Sequence, residues 1–316
     1  MNKAWGILFV AAVLVFPGCK KDKDVKDVEK PVVPEEPEEP EEPDPETVYP
    51  YIDTVSVITL NVAGLPEILS SGDPVRNTSE IGRRLNNYEL VAVQEDFNYN
   101  HFLYGTAKHK YKTEWKGPVP FGDGLNTLSG YKISGLKRFK WEKCNGADCL
   151  TPKGFTYNQI EIVDGVKIDV YNIHANAGSA QKDYESRRAN LIQLFEYIRD
   201  NSEGRPVILL GDFNSRYTRA VDTLEIYYQL GFTDTWLEFS RGGEFPVKGA
   251  DALMECDNPS SGICETVDKI FYRSNDQVKF RLLDYQKPRD EFQRDGKDLS
   301  DHIPISSLFE ITILHK

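Results

Sequence analysis

An excess of basic charge, cysteine spacing of the zinc-site kind and an apolar run long enough to span a membrane are all missing from this 316-residue chain. Acidic side chains outnumber basic ones by 50 to 38, so the basic face that a tight nucleic-acid binder normally carries is not implied. The one long apolar run, Trp5 to Phe16, is too short to cross a bilayer as a mature helix. No long amphipathic basic helix offers itself for docking on a membrane surface. Besides Cys19, the cysteines are Cys144 and Cys149 in "CNGADC" and Cys256 and Cys264 in "CDNPSSGIC". No histidine lies near either pair, which argues against zinc. Of the three pairings open to four cysteines, the simplest is two local disulfides, Cys144 with Cys149 and Cys256 with Cys264, formed in an oxidising compartment.

What the chain does contain falls into three parts. Lys3, the apolar run and Gly18-Cys19 read as the basic, apolar and cleavage regions of a signal peptide over residues 1–18. The arrangement resembles the lipoprotein pattern, in which the cysteine becomes the lipidated first residue. Residues 19–50 follow, with "KKDKDVKDVEK" and then "PVVPEEPEEPEEPDPE". Five lysines against twelve acids, with repeated Pro, favour an extended, self-repelling spacer. The expected location is the outer membrane or surface of a Gram-negative bacterium, with the membrane reached through lipidated Cys19. Residues 51–316 then form one α/β domain that keeps 32 basic and 38 acidic side chains and is expected to act as a monomer.

Within that domain, compact apolar strands repeatedly end in polar residues. "VSVITLN" ends in Asn61, "LVAVQE" in Glu95, and "VKIDVYNIH" in His174 with Asn176 beyond it. "RPVILLGDFN" ends in Asp212 and Asn214, "TVDKIFY" contains Asp268, and "LSDHIPI" carries Asp301 and His302. Helices are expected from Ser79 in "SEIGRRLNN" and over "DYESRRANLIQLFEYIRDN", where Leu191, Phe195 and Ile198 repeat at helical spacing with Leu194 beside them. Strand and helix alternating in two halves favour layers of sheet and helix. Each polar residue alone has a plain explanation as a turn or a surface acid. Together they sit where a rigid scaffold converges groups from distant sequence.

Carboxylates and amides without thiolates suit a hard divalent cation, Mg²⁺ or else Mn²⁺ or another divalent ion. Glu95 is the principal candidate ligand, aided by Asn61 and by Asp301 or Asp212. Such an ion polarises a phosphoryl oxygen, and two histidines supply a base and a donor near neutral pH. Asp301 or Asp212 would orient His302, and Asp268 would orient His174.

"TLNVAGLPE", "VAVQED", "YNIHANAG", "ILLGDFNSR", "TVDKIFY" and "LSDHIPI", in that order, resemble the endonuclease/exonuclease/phosphatase superfamily, whose archetype is deoxyribonuclease I. The resemblance covers nearly all of residues 55–310. It implies a four-layered α/β sandwich, two mixed sheets face to face with helices outside, and a site where the strand ends meet. It also implies Asn61 and Glu95 at the metal, His174 donating to the phosphate with Asp268 behind it, and Asp212 and Asn214 placing phosphate and water. Asp301 and His302 would be the closing acid and general base.

Within the superfamily, "GADCLTPKGFTYNQIEI" and "GDGLNTLSGYKI" resemble neutral and bacterial sphingomyelinases. That likeness adds Lys153 near the phosphate, with Asn176 as a second substrate-binding residue, standing where that branch usually has Gln. A β-turn entering a strand accounts for Lys153-Gly154-Phe155 equally well. Phe97, Tyr99, Phe102 and Tyr104 could touch lipid or simply pack their loop. The expected activity is Mg-dependent hydrolysis of phospholipid phosphodiesters. A deoxyribonuclease-like nuclease and an inositol-phosphate phosphatase are the alternatives, and a non-catalytic surface-binding protein is the least favoured.

Overall fold

The computed structural model describes residues 49–66, 73–249 and 263–316. The expected signal peptide, Cys19, nearly all of the spacer and Cys256 lie outside those residues. Along the chain run β1 (Tyr51–Asn61), α1 (Pro74–Arg84), β2 (Leu90–Gln94), α2 (Asn100–Thr106), β3 (Tyr111–Lys112), β4 (Asn126–Ser129), β5 (Lys132–Lys140), β6 (Gly154–Val163) and β7 (Val166–His174). Then come α3 (Gln181–Asn201), β8 (Val207–Asp212), β9 (Thr233–Asp234), α4 (Thr235–Arg241), β10 (Asp268–Arg273), β11 (Val278–Gln286), the hairpin β12 (Gln293–Arg294) and β13 (Lys297–Asp298), and β14 (Ile305–Ile313).

Two six-stranded sheets result, in the orders β11-β14-β1-β2-β4-β3 and β5-β6-β7-β8-β10-β9. Both are mixed, since β1 runs parallel to β2 and β7 parallel to β8 while their other pairings are antiparallel. The sheets face one another through β1 and β2 on one side and β7, β8 and β10 on the other. α1 and α2 cover the outer face of the first sheet, where Ile58, Leu60, Val91 and Val93 pack with Ile81, Leu85 and Leu103. On the second sheet, α3 buries Leu191, Leu194 and Ile198, while Phe195 is half-buried against Tyr227. This is the expected four-layered sandwich, and it explains why the central strands are buried on both faces and read as near-continuous apolar runs.

α1 begins earlier than its sequence suggests. Asp73 caps it by accepting from the Arg76 N–H, and Pro74 opens its first turn, where a missing N–H costs nothing.

The inward faces of the strands carry the functional information. Alternate residues share a face, so the inward series on β1 is Val55, Val57, Thr59, Asn61, and on β2 it is Leu90, Ala92, Gln94. On β7 it is Val166, Ile168, Val170, Asn172, His174, and on β8 Ile208, Leu210, Asp212. Every series turns from apolar to polar toward the same end. Behind the terminal residues a buried amide network bridges the sheets: the Gln94 amide donates to Thr59 Oγ1 at 3.0 Å and to Asn172 Oδ1 at 2.7 Å, and Asn172 donates to the Val93 carbonyl at 2.9 Å. Buried polar groups that satisfy one another fix the register of the layers above the apolar half of the core.

Candidate active site

Pairing register brings Asp212, His174 and Asp268 side by side. β8 is parallel to β7 with His174 beside Asp212, and antiparallel to β10 with Asp268 beside Asp212. The approach is close because Gly211, at φ +140°, leaves no room for a side chain: a Cβ there would lie 2.2 Å from the Ile173 carbonyl oxygen. The first sheet supplies Asn61, Glu95 and His302 from the facing side. Gly64 makes this meeting possible, since its N–H donates to the Glu95 carbonyl and a Cβ would sit 2.4 Å from that oxygen. Ala63, Glu95 and Asn214 all hold positive φ, at 50°, 55° and 49°. Strain of this kind in residues without glycine's freedom persists where the surroundings over-determine it, as they do at a site.

One oxygen, Oδ2 of Asp212, is the point of convergence. The Asn61 amide donates to it at 3.3 Å, His174 Nε2 lies 3.3 Å away and His302 Nε2 3.7 Å away. Oδ1 of the same carboxylate accepts from the Asn214 N–H at 2.8 Å. Asn61 also donates to Glu95 Oε1 at 3.1 Å, and His174 Nε2 stands 3.8 Å from that oxygen. Burial pushes the Asp212 carboxyl up to about 6 in spite of the nearby His302 charge, and the Asp268 charge adds to the rise.

The two histidines differ. His174 is 1 % exposed, and burial, followed by repulsion from Lys153 and His302, holds its pKa well below the ordinary value. Burial also opposes charge on His302, but the Asp268 and Asp212 carboxylates outweigh it and push that imidazole up to about 10. Asp268 does most, through its charge and through the bond between His302 Nδ1 and its Oδ2 at 2.9 Å. Two acids directly opposite on paired strands repel, and an imidazolium between them offsets that repulsion.

Several expectations need correcting. Asp268 orients His302, not His174, because the β8–β10 register sets it beside the place where His302 enters. Asp301 does not orient His302: it is exposed and its hydrogen bond is to Ser300 Oγ at 3.5 Å, while the His302 ring is held by Asp268, so Asp301 adds only a small favourable charge. Ser300, which no sequence motif singles out, shapes that turn by donating to the Asn61 carbonyl at 2.6 Å and accepting the His302 N–H at 3.1 Å. Asn61, expected at the metal, gives its nitrogen to Glu95 and Asp212 and one lone pair of its oxygen to the Ala63 N–H, so it orients the carboxylates while its second lone pair stays open to a cation. Asn176 has both ends of its amide engaged, with Asn145 and with Ala177, and serves the loop in place of a substrate. Asn214 Nδ2 is likewise held by the Ala175 carbonyl at 3.1 Å.

Lys153 is buried and paired with Asp148 at 2.8 Å, yet its charge reaches both His174 and Asp212. Asp148 lies within the Cys144–Cys149 disulfide loop and accepts the Ala177 N–H, so the bridge braces the wall beside His174. Phe97 is buried beneath Gly124, which settles it as packing.

Glu95 and Asp301 line one cleft of about 530 Å³ together with Asp73 and Ser300. An all-oxygen set opening on a cleft suits a hard divalent cation, and Glu95 with Asp301 would hold it. Asp212, Asp268 and His302 also come within 4.8 Å of one another. This group also fits a divalent cation, although His302 Nδ1 is bonded to Asp268 Oδ2 at 2.9 Å and would have to give up that bond to offer Nδ1 to an ion.

The model of endonuclease/exonuclease/phosphatase family 2 matches residues 73–247. The chain is also 41% identical over 260 residues to a sphingomyelinase of Mycobacterium tuberculosis, a match covering 79% of this chain and 51% of that protein. The chain belongs to the endonuclease/exonuclease/phosphatase family. It spans about half the length of the curated relatives it matches. Two solved structures share the family fold with it. Sphingomyelinase C from Streptomyces griseocarneus superposes with a TM-score of 0.55 at 16% identity, over 81% of this chain and 99% of that one. A beta toxin variant from Staphylococcus aureus solved with bound magnesium ions gives 0.55 at 17% identity, over 81% and 99%.

Proposed function

We propose that residues 51–316 are a phosphodiesterase of the sphingomyelinase type, dependent on a divalent cation, with Mg²⁺ the first candidate. The observation that carries the substrate is the 41% identity to sphingomyelinases across 260 residues. The chemistry rests on the convergence of two histidines and an amide on Asp212 Oδ2.

In this reading Asp212 is the base, in place of His302, to which the family resemblance gives that role. Its carboxyl, pushed up to about 6, is ionised at neutral pH and basic enough to accept a proton from an attacking water. His302, held as imidazolium by Asp268, donates from Nε2 to the phosphoryl oxygens as negative charge builds there. His174 stays neutral and, with Asn61, fixes the direction of the Asp212 carboxylate. Lys153 adds positive potential from the side. A divalent cation on Glu95 and Asp301 would polarise a phosphoryl oxygen and steady the leaving oxygen.

Measuring phosphocholine release from sphingomyelin beside nicking of plasmid DNA, each with Mg²⁺ and with a chelator, tests the reading. Metal-dependent phosphocholine release is expected. Nicking without release would favour the nuclease, and inactivity on both would count against each. Attachment of an exported domain to the membrane through lipidated Cys19 belongs to the same proposal, and metabolic labelling with a fatty-acid analogue that is lost in Cys19→Ser tests it.

A further inference from the structure

Among the described residues, the large apolar side chains left exposed are distributed unevenly between the ends of the sandwich. Register decides which loops share the catalytic end. Val93 pairs with Asn126, so the segment entering β4 emerges beside Glu95. Phe155 pairs with Ile173 and Gly154 with Lys140, so the β5–β6 connection emerges beside His174. The Gly249 N–H donates to the Thr218 carbonyl at 2.6 Å, which ties the segment after α4 to the loop that follows Asp212. Phe121 at 77 % exposure, Leu150 at 71 % and Val247 at 76 % each stand on one of these three loops. Trp115, Phe245 and Ile263 are exposed at the same end, against Ile52 and Leu314 at the other, and Val75, Ile192 and Phe239 stand singly on α1, α3 and α4.

Single exposed apolar residues are ordinary. Three from separate loops, each more than two-thirds exposed and all around one polar site, point to a shared partner. Residues 113–125, 141–153 and 241–249 together carry five acidic and five basic side chains, so their charges cancel. An anionic membrane or a nucleic-acid backbone would call for a basic rim. We infer that Phe121, Leu150 and Val247 form the rim by which the domain sets its catalytic end on a zwitterionic lipid bilayer, inserting apolar side chains between headgroups. The inference rests on the lipid-phosphodiesterase reading and extends it by naming the surface through which substrate is reached.

The test uses the full chain with Cys19→Ser, so that no acyl group contributes. Sedimentation with vesicles of phosphatidylcholine and sphingomyelin is measured in a His302→Ala background, where turnover cannot alter the membrane. Combining Phe121→Ser, Leu150→Ser and Val247→Ser is expected to lower vesicle binding by at least about ten-fold. With His302 intact, the same triple change should lower hydrolysis in vesicles by a similar factor. Hydrolysis of sphingomyelin dispersed in detergent micelles should stay within about two-fold, which also reports that the variant is folded. Unchanged vesicle binding in the triple variant overturns the inference. So does a parent protein that cleaves micellar sphingomyelin without binding vesicles, an outcome that leaves the substrate reading standing. Binding that appears only when phosphatidylserine is added overturns insertion as its cause. Vesicle binding that depends on the three residues, in a parent that cleaves no sphingomyelin in either form, keeps the surface and sinks the substrate.

Discussion

His174 and His302 reach the same oxygen of Asp212 from opposite sheets, at 3.3 Å and 3.7 Å, and burial and neighbours give them opposite charge. His174 ends a strand buried on both faces, has no hydrogen-bond partner at Nδ1, and faces the positive charges of Lys153 and His302. His302 enters from a turn, is 19 % exposed at its side chain, and lies between two carboxylates. The contrast shows that residue type alone does not assign acid and base. The sheet that delivers an imidazole decides which charges surround it, and those charges decide whether it carries a proton.

The comparison breaks first at the group both histidines share. Asp212→Asn removes the proposed base while keeping its shape, and kcat should fall by roughly 10³-fold or more. A variant that retains a tenth of the activity would transfer the base role elsewhere. His302→Ala follows, with a loss of about 10³-fold, since it removes the charged donor and leaves Asp212 and Asp268 facing one another. His174→Gln keeps a neutral donor beside Asp212 and should cost less, about 10-fold to 100-fold. If the two histidine variants were equally impaired, the proposed division of roles would fail.

Asp268→Asn sharpens the same contrast through pH. Its carboxylate is the leading cause that raises the His302 pKa to about 10, so neutralising it lowers that value. If His302 works as imidazolium, activity is lost above its pKa, and the alkaline limb of the kcat profile should move to lower pH. If instead His302 works as a neutral base, the variant should gain activity on the acid side. The limb that moves, read from a profile between pH 5 and 10, separates the two; the expected loss at the optimum is about 10-fold to 100-fold.

The sequence made the layers and the list of site residues legible because both rest on strand alternation. Val, Val, Thr, Asn along β1 and Val, Ile, Val, Asn, His along β7 announce an inward face that turns polar at one end. Who touches whom depends on register, and register is not written locally. That Asp268 lies beside Asp212 follows from β8 pairing with β10 across the whole 213–267 connection. Sequence alone therefore places Asp268 behind His174, as the family resemblance implies, and leaves Asp301 and Asp212 as alternatives beside His302. Ser300 and Gln94 were hidden for a different reason: each acts on backbone or on another amide, and only the meeting of distant elements shows it.

The smallest expected effect supplies the control for Asp212. Asp96 is also pushed up to about 6 by burial, opposed by donors from Asn100 and Asn126 at 2.6 Å and 2.8 Å, but among the described residues no histidine hydrogen-bonds or pairs with it. A carboxyl with a folded pKa above its unfolded value favours the folded state below about pH 4, and that contribution is lost as pH rises through about 6. A rise of about two units corresponds to about 3 kcal/mol as an upper figure. Asp96→Asn, which retains one oxygen for both donors, should therefore flatten the fall in Tm between pH 4 and 7 while leaving the acid limb of activity where it was. Asp212→Asn should remove that limb from whatever activity remains. A shift of the activity limb by Asp96→Asn would mean that the buried carboxylate next to Glu95 titrates as part of the site, and the two acids would then have to be treated as one system.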